Sequence, residues 1–288
     1  MDLTIQKSRH KLMLALKPLV RFGWEQALSC LFPVVIFASL AITQIIPLPL
    51  LPRYDWLLII SLVMQWWMVR SGLETRDELK VITLFHLIGL ALELFKTHMG
   101  SWSYPEEGYF KIFGVPLYSG FMYASVASYL CQAWRRLKVE LIKWPPFWVV
   151  VALAAAIYLN FFTHHYWIDI RWWLSGLVII VFWKSWVTYE VDGTRYRMPL
   201  ALSFVLIGFF IWIAENIATF LGAWQYPNQT DAWSLVDLGK VSSWVLLVIV
   251  SFLIVATLKQ VKGQNSTKVS KTHKGVIQID QKSKPYNG

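Results

Sequence analysis

A thirteen-residue stretch occurs twice, and it constrains what this chain can fold into more than any other feature. Residues 93–105 read ELFKTHMGSWSYP and residues 215–227 read ENIATFLGAWQYP. Six of the thirteen positions are identical, without a gap, at a constant offset of 122: Glu93/Glu215, Thr97/Thr219, Gly100/Gly222, Trp102/Trp224, Tyr104/Tyr226 and Pro105/Pro227. That agreement marks two related halves. Each copy puts a carboxylate near the end of an apolar run, where an acid is costly and usually functional.

Eight apolar runs surround the motifs, at about 27–47, 54–70, 80–98, 117–134, 145–163, 169–189, 198–220 and 236–258. Each is near the roughly 17–25 residues a helix needs to cross a bilayer. Only 15% of the residues are charged, against roughly 25% in soluble domains. Seventeen Trp and twelve Tyr suit aromatic belts at membrane boundaries. The period-2 pattern of a membrane barrel is missing, which leaves helices to satisfy the backbone in lipid. The expected fold is therefore an all-α polytopic membrane protein of about eight transmembrane helices. They form two parallel four-helix repeats, 27–134 and 145–258. An offset of four spans is even, so both motifs face the same side, about an axis along the membrane normal.

Charge sets the expected orientation. Of the 27 Lys and Arg, 21 fall in residues 1–26, in the loops after spans two, four and six or at the span ends that border them (Arg70, Lys80), and in the tail. This places both termini in the cytoplasm and both motifs outside. Residues 1–26 set Lys7, Arg9, Lys11, Lys17 and Arg21 among leucines, the pattern of a basic amphipathic segment lying on the membrane surface. The Lys-rich stretch 259–288 has the composition of a disordered tail on anionic lipid. The net charge of +10 is thus accounted for by topology and membrane lipid rather than by nucleic acid. Cys30 and Cys131 lie toward one side and suggest thiols rather than a disulfide framework. No phosphate loop, dinucleotide fingerprint or G-x-S-x-G elbow occurs, which argues against nucleotide-driven function and leaves the cofactor unknown.

The candidate chemistry centres on Glu93 and Glu215, acids in a low-dielectric setting and so suited to donate protons or to ligate ions. Thr97 and Thr219 follow four residues on, on the same helical face. Gly100 and Gly222 suit the left-handed turn that ends a helix. Trp102, Tyr104, Trp224 and Tyr226 can pack over the site or anchor the loops at the interface. His86 lies two turns before Glu93 and could relay a proton or ligate a metal; Asn216 joins the second shell beside Glu215. His164 and His165, with His98, add nitrogen donors for a divalent ion, although no H-x3-H or H-E-x-x-H spacing is present. Asp169 and Arg171 suit the start of span six. Gly120, Ala124 and Ser128, four apart, suit close helix packing.

The runs LFKTHMGSWSYPE, GVPLYSGFMYASVASY, NFFTHHY, DIRWW and IWIAENIATFLGAWQYPNQ, in that order, resemble the YoaT-like bacterial membrane proteins, a domain of unknown function. The resemblance covers roughly residues 25–258 and implies a bacterial plasma-membrane location without supplying an activity. A looser likeness runs from Gly100-Ser-Trp102-Ser-Tyr104 to Ile112-Phe-Gly114-Val-Pro116. It is similar to the repeats of membrane lycopene cyclases and carotenoid hydratases, whose helix-end acids protonate a polyene. Where the cyclases carry an acid pair after this proline, the chain reads Leu117-Tyr118-Ser119. Three functions follow as expectations. One is acid–base chemistry on a lipid or isoprenoid by the Glu pair. The second is a proton-coupled or cation transporter or channel. The third is a membrane scaffold whose acids only shape turns.

Overall fold

The structure is a computed structural model and describes residues 2–46 and 48–259, with side chains from residue 16 onward. The Lys-rich stretch 260–288 lies outside the described residues. Nine helices are described: α1 Asp2–Ser29, α2 Leu31–Ile45, α3 Arg53–Arg70, α4 Arg76–His98, α5 Ser119–Arg136, α6 Phe147–Thr163, α7 Arg171–Phe182, α8 Leu200–Phe220 and α9 Lys240–Lys259. Each of the eight apolar runs contains a helix.

The bounds and the membrane count need correction. α1 and α2 break at Cys30 and bend by 68°, so residues 27–29 belong to α1 rather than to the first run. Pro33 is accommodated in the first turn of α2, where its missing N–H costs nothing. Among the described residues, two helices are long and apolar enough to cross a membrane, α8 and α9; counting the bent α1–α2 pair as one broken span makes three. α6 and α7 are apolar but have only 17 and 12 residues. α4 carries Arg76, Asp77, Glu78, Lys80, Glu93 and Lys96, and α5 is rich in small and polar residues, which lowers their mean hydropathy.

The fold is also not purely helical. The sixth run ends as helix at Phe182, and residues 186–191 form a strand. β1 (Lys111–Ile112) pairs with β2 (Val115–Pro116) inside the loop after α4. β3 (Glu140–Ile142), β4 (Trp186–Val191) and β5 (Thr194–Pro199) form an antiparallel sheet in that order. Its cause is local. Thr188, Glu190, Arg195 and Arg197 are polar, and Asp192-Gly193 supplies two positive φ angles, 48° and 75°, as a two-residue hairpin turn requires. The hairpin receives α1 through an Arg21–Asp192 ion pair at 3.2 Å and Phe22 packed on Tyr189.

α4 starts on a capping box: Thr75 N–H donates to Glu78 Oε2 at 2.8 Å, and Glu78 N–H to Thr75 Oγ1 at 3.3 Å. It then packs tightly on α5. A Cβ on Gly89 would lie 2.5 Å from Tyr123, and one on Gly120 would lie 2.7 Å from His86. In the same way α8 meets α9 at Gly208, where a Cβ would lie 2.7 Å from Val245. Apolar burial divides into two clusters. One gathers Phe32, Tyr54, Met68, Ile82 and Phe121 from α2–α5, together with Ala218 and Ala223. The other gathers Val150, Val178, Phe204 and Ile249 from α6–α9, with Leu130 and Cys131 of α5. Both cysteines are free.

Candidate functional site

The two motifs end their helices in the same way. Gly100 (φ 68°) donates to Thr97 O at 3.0 Å, and Ser101 N–H to Lys96 O at 2.9 Å. Gly222 (φ 70°) donates to Thr219 O at 3.0 Å, and Ala223 N–H to Ala218 O at 2.9 Å. These are paired Schellman closures, which need the left-handed conformation that glycine reaches without steric cost.

Each chain then turns back over its own acid. Glu93 Oε2 accepts from Trp102 Nε1 at 2.6 Å and from Tyr104 Oη at 2.7 Å, and its Oε1 accepts from Tyr123 Oη of α5 at 2.8 Å. Glu215 Oε1 accepts from Tyr226 Oη, and its Oε2 accepts from Trp244 Nε1 of α9 at 2.7 Å. Each carboxylate therefore latches a helix, the following loop and the next helix. The acids are 6% and 3% exposed, so these bonds are made away from water. Burial and the neighbouring carboxylates hold the Tyr104 and Tyr226 phenols well above their ordinary values, which keeps both as donors.

The latches meet. Ser103 and Gln225, equivalent positions at the 122 offset, exchange both N–H···O bonds at 2.9 Å as an isolated antiparallel bridge. Trp102, bonded to Glu93, packs edge-on against Tyr226, bonded to Glu215, with centroids 5.9 Å apart. Lys240 Nζ lies over the same rings, 4.9 Å from that of Tyr226 and 5.8 Å from that of Trp102. Arg53 ties the second latch to α2 and to the loop after α4. Its guanidinium donates to Gly222 O (3.3 Å), Leu221 O, Leu40 O (3.1 Å) and Thr43 Oγ1 (3.0 Å), and pairs with Glu106 at 2.6 Å. A guanidinium against carbonyls at the C-terminal end of α8 is favoured by the helix dipole.

Several sequence candidates sit elsewhere. Neither threonine reaches its acid: Thr97 Oγ1 is buried without a partner among the described residues, while Thr219 Oγ1 donates to Asn216 O and accepts from Trp233. Asn216 holds the loop ahead of α9 by accepting from Val236 N at 2.8 Å. His86 packs against Phe121 and Gly120, with no partner for Nδ1 among the described residues, and not against Glu93. Trp224 packs into the first apolar cluster, and the indole on Glu215 is instead that of Trp244. His164 and His165 converge on Lys96, not on the acids. Among the described residues, no group of three or more His, Cys, Asp and Glu is arranged to hold a metal ion. Asp169 does cap α7, accepting from Arg171 N at 3.0 Å. Ser128 packs closely and also bonds another buried acid, Glu74, just before the start of α4 and far from the motif.

Sequence reasoning passed over Tyr123, Trp244, Lys96 and Lys240, and the cluster around Glu74 and Glu78. In that cluster Glu78, 2% exposed, pairs with Lys259 at 2.6 Å and Arg135 at 2.9 Å. Burial works against its charge, but these cations and Thr75 N–H bring the carboxyl below its ordinary value. Glu74 has no cation within 4.0 Å among the described residues and accepts from Gln65 and Ser128.

Comparison with known proteins gives the family. The description "Protein of unknown function (DUF817)" matches residues 18–252, and the chain belongs to that family. It is 86% identical over 256 residues to the "Uncharacterized protein YoaT" of Bacillus subtilis (strain 168), covering 89% of this chain and 97% of that one. No solved structure matches.

Proposed function

We propose that this member of the DUF817 family is a multi-pass membrane protein in which the two acids are protonation-sensitive latches, and that it works as a proton-coupled transporter. In this reading α2–α5 and α6–α9 are parallel halves about an axis along the membrane normal. Both latches lie at the outer end, and the termini are cytoplasmic. Apolar side chains directed away from the protein support contact with lipid, among them Trp172, Trp173, Ile180 and Phe210, 64–80% exposed.

The carrying observation is the mutual Ser103–Gln225 bridge, which joins equivalent positions of the two halves where both oxygens of each acid accept hydrogen bonds. A carboxylate only accepts, whereas a protonated carboxyl must donate from one oxygen. Protonation therefore removes the charge that strengthens these bonds and forces one tyrosine bond per latch to reverse, the carboxyl donating to the phenol oxygen, which loosens the joint between the halves. A group with two such arrangements is what proton coupling requires. Acid–base chemistry on a lipid or isoprenoid is less well supported. That reading needs a carboxylate edge facing a substrate, and both oxygens of each acid face the protein's own donors.

Nitroxide labels on Ser103→Cys/Gln225→Cys in nanodiscs, with distances measured by double electron–electron resonance, test the reading. From about pH 8 to about pH 4, across the ordinary carboxyl range, the short distance should give way to a longer, broader one. Glu93→Gln/Glu215→Gln should show the open distribution throughout. A single short distance at every pH in both proteins would refute the latch, and with it the proton coupling.

A further inference from the structure

Beside the latches lies a cationic cluster of which only Lys240 touches them. Lys96 is 5% exposed, one turn beyond Glu93, yet among the described residues no carboxylate lies within 4.0 Å of its ammonium. Its neighbours are His165 Nε2 at 2.7 Å, His164 Nε2 at 3.4 Å and the face of Phe161 at 4.2 Å. The imidazoles present lone pairs. His164 Nδ1 lies 3.0 Å from Asn160 O and must carry the proton, leaving Nε2 as acceptor. Burial and the Lys96 charge pull His165 down to about 4, so it too is neutral near pH 7.

The surrounding charges do not neutralise the ammonium. Lys240 and Arg171 add positive potential at Lys96, and Asp169 supplies the opposing charge. Asp169 is itself engaged by Arg171, Asn160 and a backbone N–H. Buried cations are normally paired or ligated, because the uncompensated charge costs several kcal/mol. Here the Lys96 ammonium of α4 is met by His164 and His165 from the loop after α6, and Arg171 of α7 and Lys240 of α9 are near enough to act on its charge.

We propose that Lys96, with His164 and His165 orienting it and with Arg171 and Lys240 at its edge, is a binding site for a phosphate-type oxyanion. Several oxygens on one anion can take donors from more than one of these cations, and charge-assisted bonds of this kind are the strong ones. The same chemistry is offered by free phosphate and by the headgroup of an anionic phospholipid. The site stands on its own geometry and does not depend on the latches moving.

The test uses the full chain purified in uncharged detergent. Equilibrium dialysis against radiolabelled inorganic phosphate measures the free anion. Native mass spectrometry after addition of phosphatidylglycerol or phosphatidylcholine measures the headgroup. Either saturable phosphate binding or selective retention of phosphatidylglycerol is expected, and which arm responds identifies the source. Lys96→Met should weaken the responding arm at least about tenfold, the equivalent of one charge-assisted bond. His165→Gln, which keeps the lysine, should weaken it less. Lys96→Met removes an uncompensated buried charge, so it should melt no lower than the parent, which separates lost binding from lost folding. No response in either arm, or an equal response in Lys96→Met, overturns the site.

Discussion

Removing the Tyr226 hydroxyl should destabilise the protein more than removing its repeat equivalent, Tyr104. Glu215 accepts from two side chains, Tyr226 and Trp244, whereas Glu93 accepts from three, Trp102, Tyr104 and Tyr123. Tyr226→Phe leaves Glu215 Oε1 bare in a site where the residue is 3% exposed. Tyr104→Phe leaves Glu93 with a donor on each oxygen. A hydrogen bond to a charged group contributes about 1.5–3 kcal/mol, and stranding a buried acceptor adds to its loss. Tyr226→Phe should therefore cost about 2–3 kcal/mol and Tyr104→Phe about 1–1.5 kcal/mol. Reversible unfolding by SDS in mixed micelles, followed by circular dichroism, measures both. In a Glu215→Gln background the acceptor is neutral, so the cost of Tyr226→Phe should fall to about 1 kcal/mol or less, a coupling of about 1–2 kcal/mol. Equal costs for the two Phe variants, or no coupling with Glu215→Gln, would refute the claim that these acids hold the loops.

Gly222→Ala and Gly100→Ala both force an alanine into the left-handed region, at about 1 kcal/mol. Only Gly222 also meets a neighbour, with Arg53 Nη1 3.3 Å from the added Cβ, so the same unfolding assay should rank it the more costly. Arg53→Gln strands the Leu221 and Leu40 carbonyls and Glu106 together, and a loss of about 3 kcal/mol is expected by SDS titration. Glu74 gives a pH dependence. Burial holds its carboxyl above the ordinary value although Ser128 and Gln65 donate to it, so ionisation is disfavoured in the native state. Its effect on stability is nil in acid, where both states are protonated, and grows unfavourable as pH rises from the ordinary carboxyl value through the folded one. Glu74→Gln should thus raise the melting temperature at neutral pH and leave it unchanged in acid; a uniform shift would exclude the titration.

Helices were legible in the chain because apolar length is a strong signal, and residues 186–199 show its limit. Trp183, Trp186 and Val187 extend the sixth run, while the alternation at Thr188 and Glu190 and the Asp192-Gly193 turn mark a hairpin. Counting apolar residues hid the change of period. In the site, Tyr104 and Tyr226 were legible because both reach their acids eleven residues back, at the repeat offset. The second donors were not. Tyr123 and Trp244 are 121 residues apart (244 − 123), so an offset of 122 pairs Tyr123 with Val245 and Trp244 with Met122. The two motifs reach the same end, an aromatic donor from the following helix, through neighbouring rather than equivalent positions.

That displacement has a physical cause and points to where the chemistry lies. Tyr123 covers Gly89 closely, whereas Val245, its equivalent, packs on Gly208, which occupies the place of His86. The glycine that this residue covers lies three positions earlier in α8 (Gly208) than in α4 (Gly89, equivalent to Ile211), and α9 presents an indole to its acid one position earlier. What the halves share is thus the frame, namely acid, turn and loop. What they do not share are polar groups the frame does not need: His86 opposite Gly208, Lys96 opposite Ala218, and Lys240 opposite Tyr118. A buried lysine confined to one half adds nothing to a latch that closes equally well around alanine in the other. Its unpaired charge is then a cost that the frame does not explain, and a ligand would.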